Sequence, residues 1–183
     1  LKTLIYLCRM NYSIVEDNLE GLKTYRKDSG QKLHWSSPFV LPEWMEVWRQ
    51  SFGEGMEMRI RTVRDGEKVS GVAPLMVKDG TALLIGDTDV CDYLDFIVTP
   101  GREKEFFNVL LDDLKKSGTK RLDLKHVRPD STVLNSLAPL AQGRGLAVET
   151  VKDNVSYEME LPASFIHTWN RYPPSSATRS GAS

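Results

Sequence analysis

The sequence has little of what would place a protein in a specialised class. Its 183 residues include two cysteines, too few for a disulfide framework, so a reducing cytoplasm is the simplest location. Lys and Arg number 24 against 25 Asp and Glu, which leaves no basic excess to attract nucleic acid. No apolar run approaches the roughly 20 residues that a membrane span needs. These shortages favour a cytoplasmic protein that has no membrane span and does not bind nucleic acid.

The two ends of the chain differ in composition from the rest. Residues 1–10 hold a short apolar run with no cleavage site after it, and we interpret them as a non-native or disordered leader. Residues 171–183 are small, polar and proline-rich, which predicts a disordered tail. One domain is therefore expected over residues 11–170, long enough to bury a single core.

The first part of that domain predicts a strand and two helices. Residues 11–16 alternate apolar and polar side chains, and Asn18 is placed to cap a helix through about Lys27. A second helix has Pro42 in its first turn and ends at Gly53. Several aromatic and apolar residues recur there at helical spacing, which favours core packing; a platform that stacks on a sugar is the alternative. The residues at helical spacing are Trp44, Val47, Trp48 and Phe52, and the aromatic cluster also includes Trp35 and Phe39, which precede the helix.

The middle of the chain predicts a three-stranded antiparallel meander over residues 56–63, 69–77 and 81–85. The connections read RDGE and KDGT, and Asp-Gly between alternating runs is a strong hairpin signal. Such turns require positive φ at both central residues.

The rest of the domain alternates strands and helices. Strands are predicted over residues 93–98, 121–126, 146–151 and 155–161. Helices are predicted over residues 103–116 and 131–141, the second broken by Pro139. A meander followed by crossover helices predicts an α/β fold with a mixed sheet covered by helices on both faces.

The acidic segment GDTDVCDYLDFIV, residues 86–98, suggests several kinds of chemistry. A calcium loop fails, because Asp92 stands where glycine is needed and Val98 where a bidentate glutamate is needed. Asp87 and Asp89 match the short Asp-x-Asp motif of haloacid-dehalogenase-like phosphatases, which stays as the least favoured hypothesis. Cys91 lies among acids, which disfavour a reactive thiolate, so a small half-buried cysteine in a loop is favoured over a redox or nucleophilic one.

The order of elements resembles the GNAT acyltransferase superfamily, and in particular the N-terminal half of CelD-type acetyltransferases, relatives of the FemAB peptidyltransferases. The segments that carry this resemblance are SPFVLPEW (37–44), SFG (51–53), GVAPLMV (71–77), CDYLDFIV (91–98), LDLKHV (122–127) and LPASF (161–165). The resemblance implies a GNAT-like fold. It also implies a parent activity, acyl transfer from acyl-CoA to an amine or hydroxyl on a saccharide or cell-envelope precursor such as an exopolysaccharide.

In that family the strand before the central helix feeds a loop of the form Arg/Gln-x-x-Gly-x-Gly/Ala, whose amides hold the pyrophosphate of acyl-CoA. This chain has TPGREKE there, residues 99–105. The resemblance therefore implies no cofactor in this chain, with acetyl-CoA or another acyl-CoA held by a missing C-terminal GNAT-like domain. The isolated chain is expected to be inactive as a transferase, and a stand-alone binding module is the alternative.

The resemblance also suggests where a small-molecule or saccharide acceptor would lie. Asp92, Tyr93 and Asp95 are expected to face the cleft between the two domains; alternatively, Tyr93 is core and the acids only solubilise a loop. His126 ends a predicted strand, where a base or a structural histidine would both fit. No metal site is expected, and no catalytic residue is assigned.

Overall fold

The computed structural model describes residues 12–86 and 90–152, and it shows the mixed α/β fold that the sequence predicts. The strands are β1 Tyr12–Asp17, β2 Glu57–Asp65, β3 Lys68–Lys78, β4 Thr81–Leu84, β5 Ile97–Val98 and β6 Arg121–Leu122. The helices are α1 Leu19–Lys27, α2 Pro42–Phe52, α3 Glu103–Lys116 and α4 Ala138–Gly143. A 3-10 turn over Pro38–Val40 precedes α2, and a π-helical turn over Val133–Leu137 precedes α4. The residues described up to Thr150 belong to one compact unit, and Val151 begins a second.

The sheet has the order β1-β2-β3-β4-β6, and its meander is antiparallel as predicted. β6 pairs with β4 in parallel, so the sheet is mixed. β4 and β5 lie along the same edge of β3 and run in the same direction, one beside residues 75–78 and the other beside residues 71–72. The fourth strand position is thus interrupted. We call residues 86–96, between the two pieces, the excursion; residues 87–89 of it lie outside the described part of the chain.

Helices cover both faces of the sheet, as predicted. On one face the guanidinium of Arg61 in β2 donates to Asp113 of α3 at 3.1 Å. On the other, the hydroxyl of Tyr25 in α1 donates to Asp17 at 2.5 Å and accepts from Arg64 at 2.6 Å. Because successive strand residues point to opposite faces, Arg61 and Arg64 can reach different helices. The β-bulge between Val63 and Arg64 shifts the register by one step at that point.

α3 packs its buried side chains into the core. It begins and ends where the sequence predicts. Its inward side chains are all buried: Phe106, Phe107, Leu110, Leu111 and Leu114. Phe106 packs so close to β3 that a β carbon on Gly71 would lie 2.6 Å from its ring. Glycine at position 71 is therefore what lets α3 approach the sheet.

The two hairpin turns differ from each other. In the second, Asp79 and Gly80 both have positive φ, as expected. In the first, Asp65 pairs with Lys68, so the two loop residues are Gly66 and Glu67, and among them positive φ occurs at Gly66 alone. Glycine at the first loop position favours a type II′ turn, in which only that residue needs positive φ. The expectation of positive φ at both loop residues is therefore wrong for this hairpin.

Several predicted strands are shorter or absent. The strand predicted over 93–98 forms at residues 97–98, and the strand predicted over 121–126 forms at residues 121–122. Tyr93 and His126, at the outer ends of these two predicted strands, have positive φ, which extended strand residues do not adopt. Residues 146–151 form no strand; the amide of Leu146 instead donates to the carbonyl of Ala141 and closes α4. The predicted strand at 155–161, the leader, the LPASF segment and the tail lie outside the described residues.

Pro139 does not break the last described helix. The chain is helical from Thr132 to Gly143, with the π-helical turn immediately before the proline. A wider turn rearranges the hydrogen bonds at the point where proline has no amide to donate. The prediction of a break is therefore wrong.

The aromatic stripe on α2 is core in part. Pro42, Met45 and Trp48 face inward and are buried. Trp44, Val47 and Phe52 are 38%, 62% and 50% exposed, so the prediction that they belong to the core is wrong for these residues. Spacing of three along α2 selects the inward face, which leaves the other apolar residues toward solvent. None of the helices described over 12–86 and 90–152 is long and apolar enough to cross a bilayer.

Gly71→Ala is expected to lower the free energy of unfolding by about 1–3 kcal/mol, because the new methyl group collides with the Phe106 ring. Urea denaturation followed by circular dichroism would measure the change. Gly143→Ala is the matched control, since a β carbon there meets nothing within 4 Å and alanine suits a helix. Equal stability of Gly71→Ala and the parent would contradict the close packing of α3 on β3.

Candidate functional site

The candidate site lies at the carboxyl ends of β4 and β6, which are neighbouring parallel strands. The amide of Asp123 donates to the carbonyl of Ala82 at 2.9 Å and prolongs this pairing beyond β6. The excursion leaves the sheet at the end of β4, and the chain after β6 leads to His126. In α/β sheets such adjacent carboxyl ends are where ligand sites form.

Tyr93 and His126 are brought together by one hydrogen bond. The amide of Leu94 donates to the carbonyl of His126 at 3.0 Å. Both Tyr93 and His126 have φ of 55°, a left-handed conformation that costs a non-glycine residue about 1–2 kcal/mol. The hydroxyl of Ser37 donates to the carbonyl of Tyr93 at 3.0 Å and helps to hold this conformation. Backbone strain of this kind concentrates at functional sites.

The ring of Tyr93 is half-buried and has a cation over it. The guanidinium carbon of Arg128 lies 5.1 Å from the ring centroid, within the range of a cation–π contact. Arg128 also donates to the carboxylate of Asp130 at 2.9 Å. The Tyr93 ring is therefore neither fully buried in the core nor fully exposed to solvent.

Asp95 is directed inward. It is 6% exposed, and its Oδ2 accepts the amide of Thr132 at 2.8 Å. Its Oδ1 accepts the Thr132 hydroxyl at 2.7 Å and the amide of Phe96 at 2.9 Å. Burial raises the pKa of the Asp95 carboxyl, and the hydrogen bonds from Thr132 and Phe96 lower it in part. Asp95 thus fastens the excursion to the start of the helical segment at Thr132 rather than offering a carboxylate to a ligand.

Asp92 is exposed, and the residue before it links the excursion to α2. Cys91 is buried, and its Sγ accepts the indole N–H of Trp44 at 3.2 Å. Phe39 packs edge-on against Trp44, with ring centroids 5.1 Å apart. Arg128 joins the site without having been singled out for it, because nothing in the sequence placed it over Tyr93. The helical spacing of Trp44 favoured core packing, and a sugar-stacking platform was the alternative; the sequence did not show that Trp44 contacts the excursion.

His126 has a buried ring nitrogen without a partner. Among the described residues no group hydrogen-bonds its Nε2. Leaving a buried polar group unpaired costs about 1–3 kcal/mol. The backbone carbonyl of His126 thus has a structural role through the Leu94 amide, whereas its Nε2 has no partner among the described residues. This arrangement fits both a structural histidine and a base.

In the turn that leads into α3, two backbone amides already donate hydrogen bonds to nearby residues. The amide of Gly101 donates to the carboxylate of Glu103 at 3.0 Å, and the amide of Arg102 donates to the carbonyl of Thr99 at 3.0 Å. Amides at a helix start bind anions when they are free. A carboxylate already accepts from Gly101 here, so this turn does not present that amide to a phosphate.

A second concavity lies away from this site, between β1 and α3. It is an open groove of about 210 Å³. Its acids are already paired, Asp113 with Arg61 and Asp112 with Arg144. The groove is lined by Tyr12, Ile14, Val109, Asp112, Asp113 and Lys116. It brings together none of the residues that the sequence suggested for function.

Within residues 12–86 and 90–152, no three His, Cys, Asp or Glu side chains are grouped so as to hold a metal ion. Asp87 and Asp89, on which the calcium and phosphatase hypotheses depend, lie outside the described residues. A scan against protein-family models and a search of curated proteins found no match to the chain.

Asp95→Asn is expected to alter the pH dependence of stability. The raised pKa means that the folded protein binds the Asp95 proton more tightly than the unfolded chain does, so this carboxyl stabilises the fold most below about pH 4. The stability of the parent relative to the variant should fall as pH rises from about 4 through the raised pKa, and then level off. Thermal melts of both proteins across that range measure the difference. A difference that stays constant or grows with pH would contradict the assignment.

Proposed function

We propose that this domain is the N-terminal, non-CoA-binding module of a GNAT-type acyltransferase of the CelD and FemAB kind. Its role is to hold an acceptor amine or hydroxyl, carried by a saccharide or cell-envelope precursor, for acylation by a second GNAT-like domain. The observation that carries the proposal is the interrupted strand, β4 followed by β5, which leads directly into the central helix α3.

The turn after β5 supports the division of labour. By the resemblance, this turn corresponds to the loop with which the family holds the pyrophosphate of acyl-CoA. Here the amide of Gly101 is taken by Glu103, and the carboxylates of Glu103 and Glu105 in the first turn of α3 would repel a pyrophosphate. In this proposal the acyl donor belongs to the C-terminal domain, which is also the protein partner.

The edge formed by the excursion and the residues after β6 is the proposed acceptor site. Asp92 is accessible there, the Tyr93 ring is held under Arg128, and His126 has an uncommitted imidazole nitrogen. The Asp92 carboxylate can hydrogen-bond an acceptor hydroxyl or amine and orient it, which is the positioning contribution to catalysis. The Nε2 of His126 is buried, so a side-chain movement must expose it before it can contact an acceptor. Asp95 serves this site indirectly, by fastening the excursion to Thr132. We place the protein in the cytoplasm, where the unpaired thiol of Cys91 would stay reduced.

The isolated chain is expected to show no saturable binding of acetyl-CoA in the micromolar range and no transferase activity. Isothermal titration of the full chain with acetyl-CoA would test this. Glu103→Ala frees the Gly101 amide and removes one repelling charge, so a gain of binding by this variant would trace the defect to Glu103. Micromolar binding by the parent chain would contradict the proposal.

The wider proposal is tested at the DNA level. Translation of the sequence past the codon for Arg171, in all three frames, should yield a basic helix and then a strand leading into Arg/Gln-x-x-Gly-x-Gly/Ala. Absence of that motif in every frame would contradict the tandem acyltransferase. The stand-alone binding module would then be the better account of the same acceptor edge.

A further inference from the structure

We infer that Trp44 and Asp92 form a subsite for a pyranose ring at the acceptor edge. The inference deepens the proposed function, because it assigns the residues that would recognise a saccharide acceptor. It also depends on the proposed function for its place in an acylation reaction, although the binding itself can be measured separately.

The first support is that the Trp44 ring is both accessible and held in place. It is 38% exposed, and its indole N–H is already bonded to the Sγ of Cys91 at 3.2 Å. Phe39 meets it edge-on at 5.1 Å with an interplanar angle of 88°. With its polar atom occupied, the exposed part of the ring offers carbon surface. A ring fixed before binding loses little side-chain entropy when a ligand stacks on it.

The second support is an exposed acid nearby in the chain. Asp92 directly follows Cys91, so it lies one residue from the thiol that the Trp44 indole contacts, and its side chain is exposed. A carboxylate accepts hydrogen bonds from hydroxyl groups. A pyranose has an apolar face of C–H groups and a rim of hydroxyl donors, so the ring and the carboxylate match its two chemical sides.

The other exposed apolar residues of α2 do not share this arrangement. Val47 is 62% exposed but presents no ring, and Phe52 lies about 12 Å farther along the helix axis. Phe52 packs against Trp48, with ring centroids 6.3 Å apart, and not against the excursion. Phe52 therefore provides an aromatic control of similar exposure on the same helix.

The experiment uses the full chain and two neutral probes, maltotriose and chitotriose, titrated to millimolar concentration. Tryptophan emission and isothermal titration report binding. The parent should bind at least one probe saturably, and Trp44→Ala should weaken that binding about tenfold. Trp44→Phe should keep most of the affinity, Asp92→Ala should reduce it, and Phe52→Ala should leave it unchanged. Thermal melts show whether each variant is folded.

The inference would be overturned if the folded parent bound neither probe saturably, or if Trp44→Ala and Phe52→Ala lost affinity equally. Self-association of the parent that Trp44→Ala abolishes, without sugar binding, would also overturn it and point to a second copy of the chain on this face. The outcome is separable from the proposed function. Trp44-dependent sugar binding with no acyl-CoA motif downstream would support the subsite and contradict the transferase. An acyl-CoA motif downstream without sugar binding would support the transferase and contradict the subsite.

Discussion

The Phe106 ring of α3 packs directly over Gly71 of β3, where any β carbon would come within 2.6 Å of it. This close approach fixes the central helix across the sheet. Gly71 also pairs with Val98 of β5, so the chain re-enters the sheet beside Gly71 just before α3 begins. With that entry fixed and β4 held at the other end of β3, the residues between the two pieces must lie outside the ladder.

The excursion is then held by contacts with parts of the chain that are distant in sequence. Asp95 accepts from Thr132, the Leu94 amide donates to His126, Ser37 donates to Tyr93, and Trp44 donates to Cys91. Together these bonds stabilise two left-handed residues. Of the two acids of the excursion that the structure describes, Asp95 is buried and shapes the edge, whereas Asp92 is exposed and can meet a ligand.

Local sequence signals were reliable where the structure depends on local geometry. The cap at Asn18, the proline at the start of α2, the meander and the whole of α3 follow from side chains within a few residues of one another. These local signals failed where the backbone conformation depends on a hydrogen-bond partner that is distant in sequence. The strand predicted over 93–98 loses most of its length because its residues bond to segments near 37, 126 and 132, which alternation of apolar and polar residues does not register.

The sequence by itself determined the class of fold and the order of its main elements, because periodicity, caps and turns act over short distances. It also pointed to Asp92, Tyr93, Asp95 and His126. Tertiary structure alone decided that Asp95 faces inward, that Tyr93 lies under Arg128 and that Trp44 borders the excursion. The physical reason is that burial and hydrogen-bond partners depend on which surfaces meet, and residues far apart in the chain meet only once the sheet and its helices have packed.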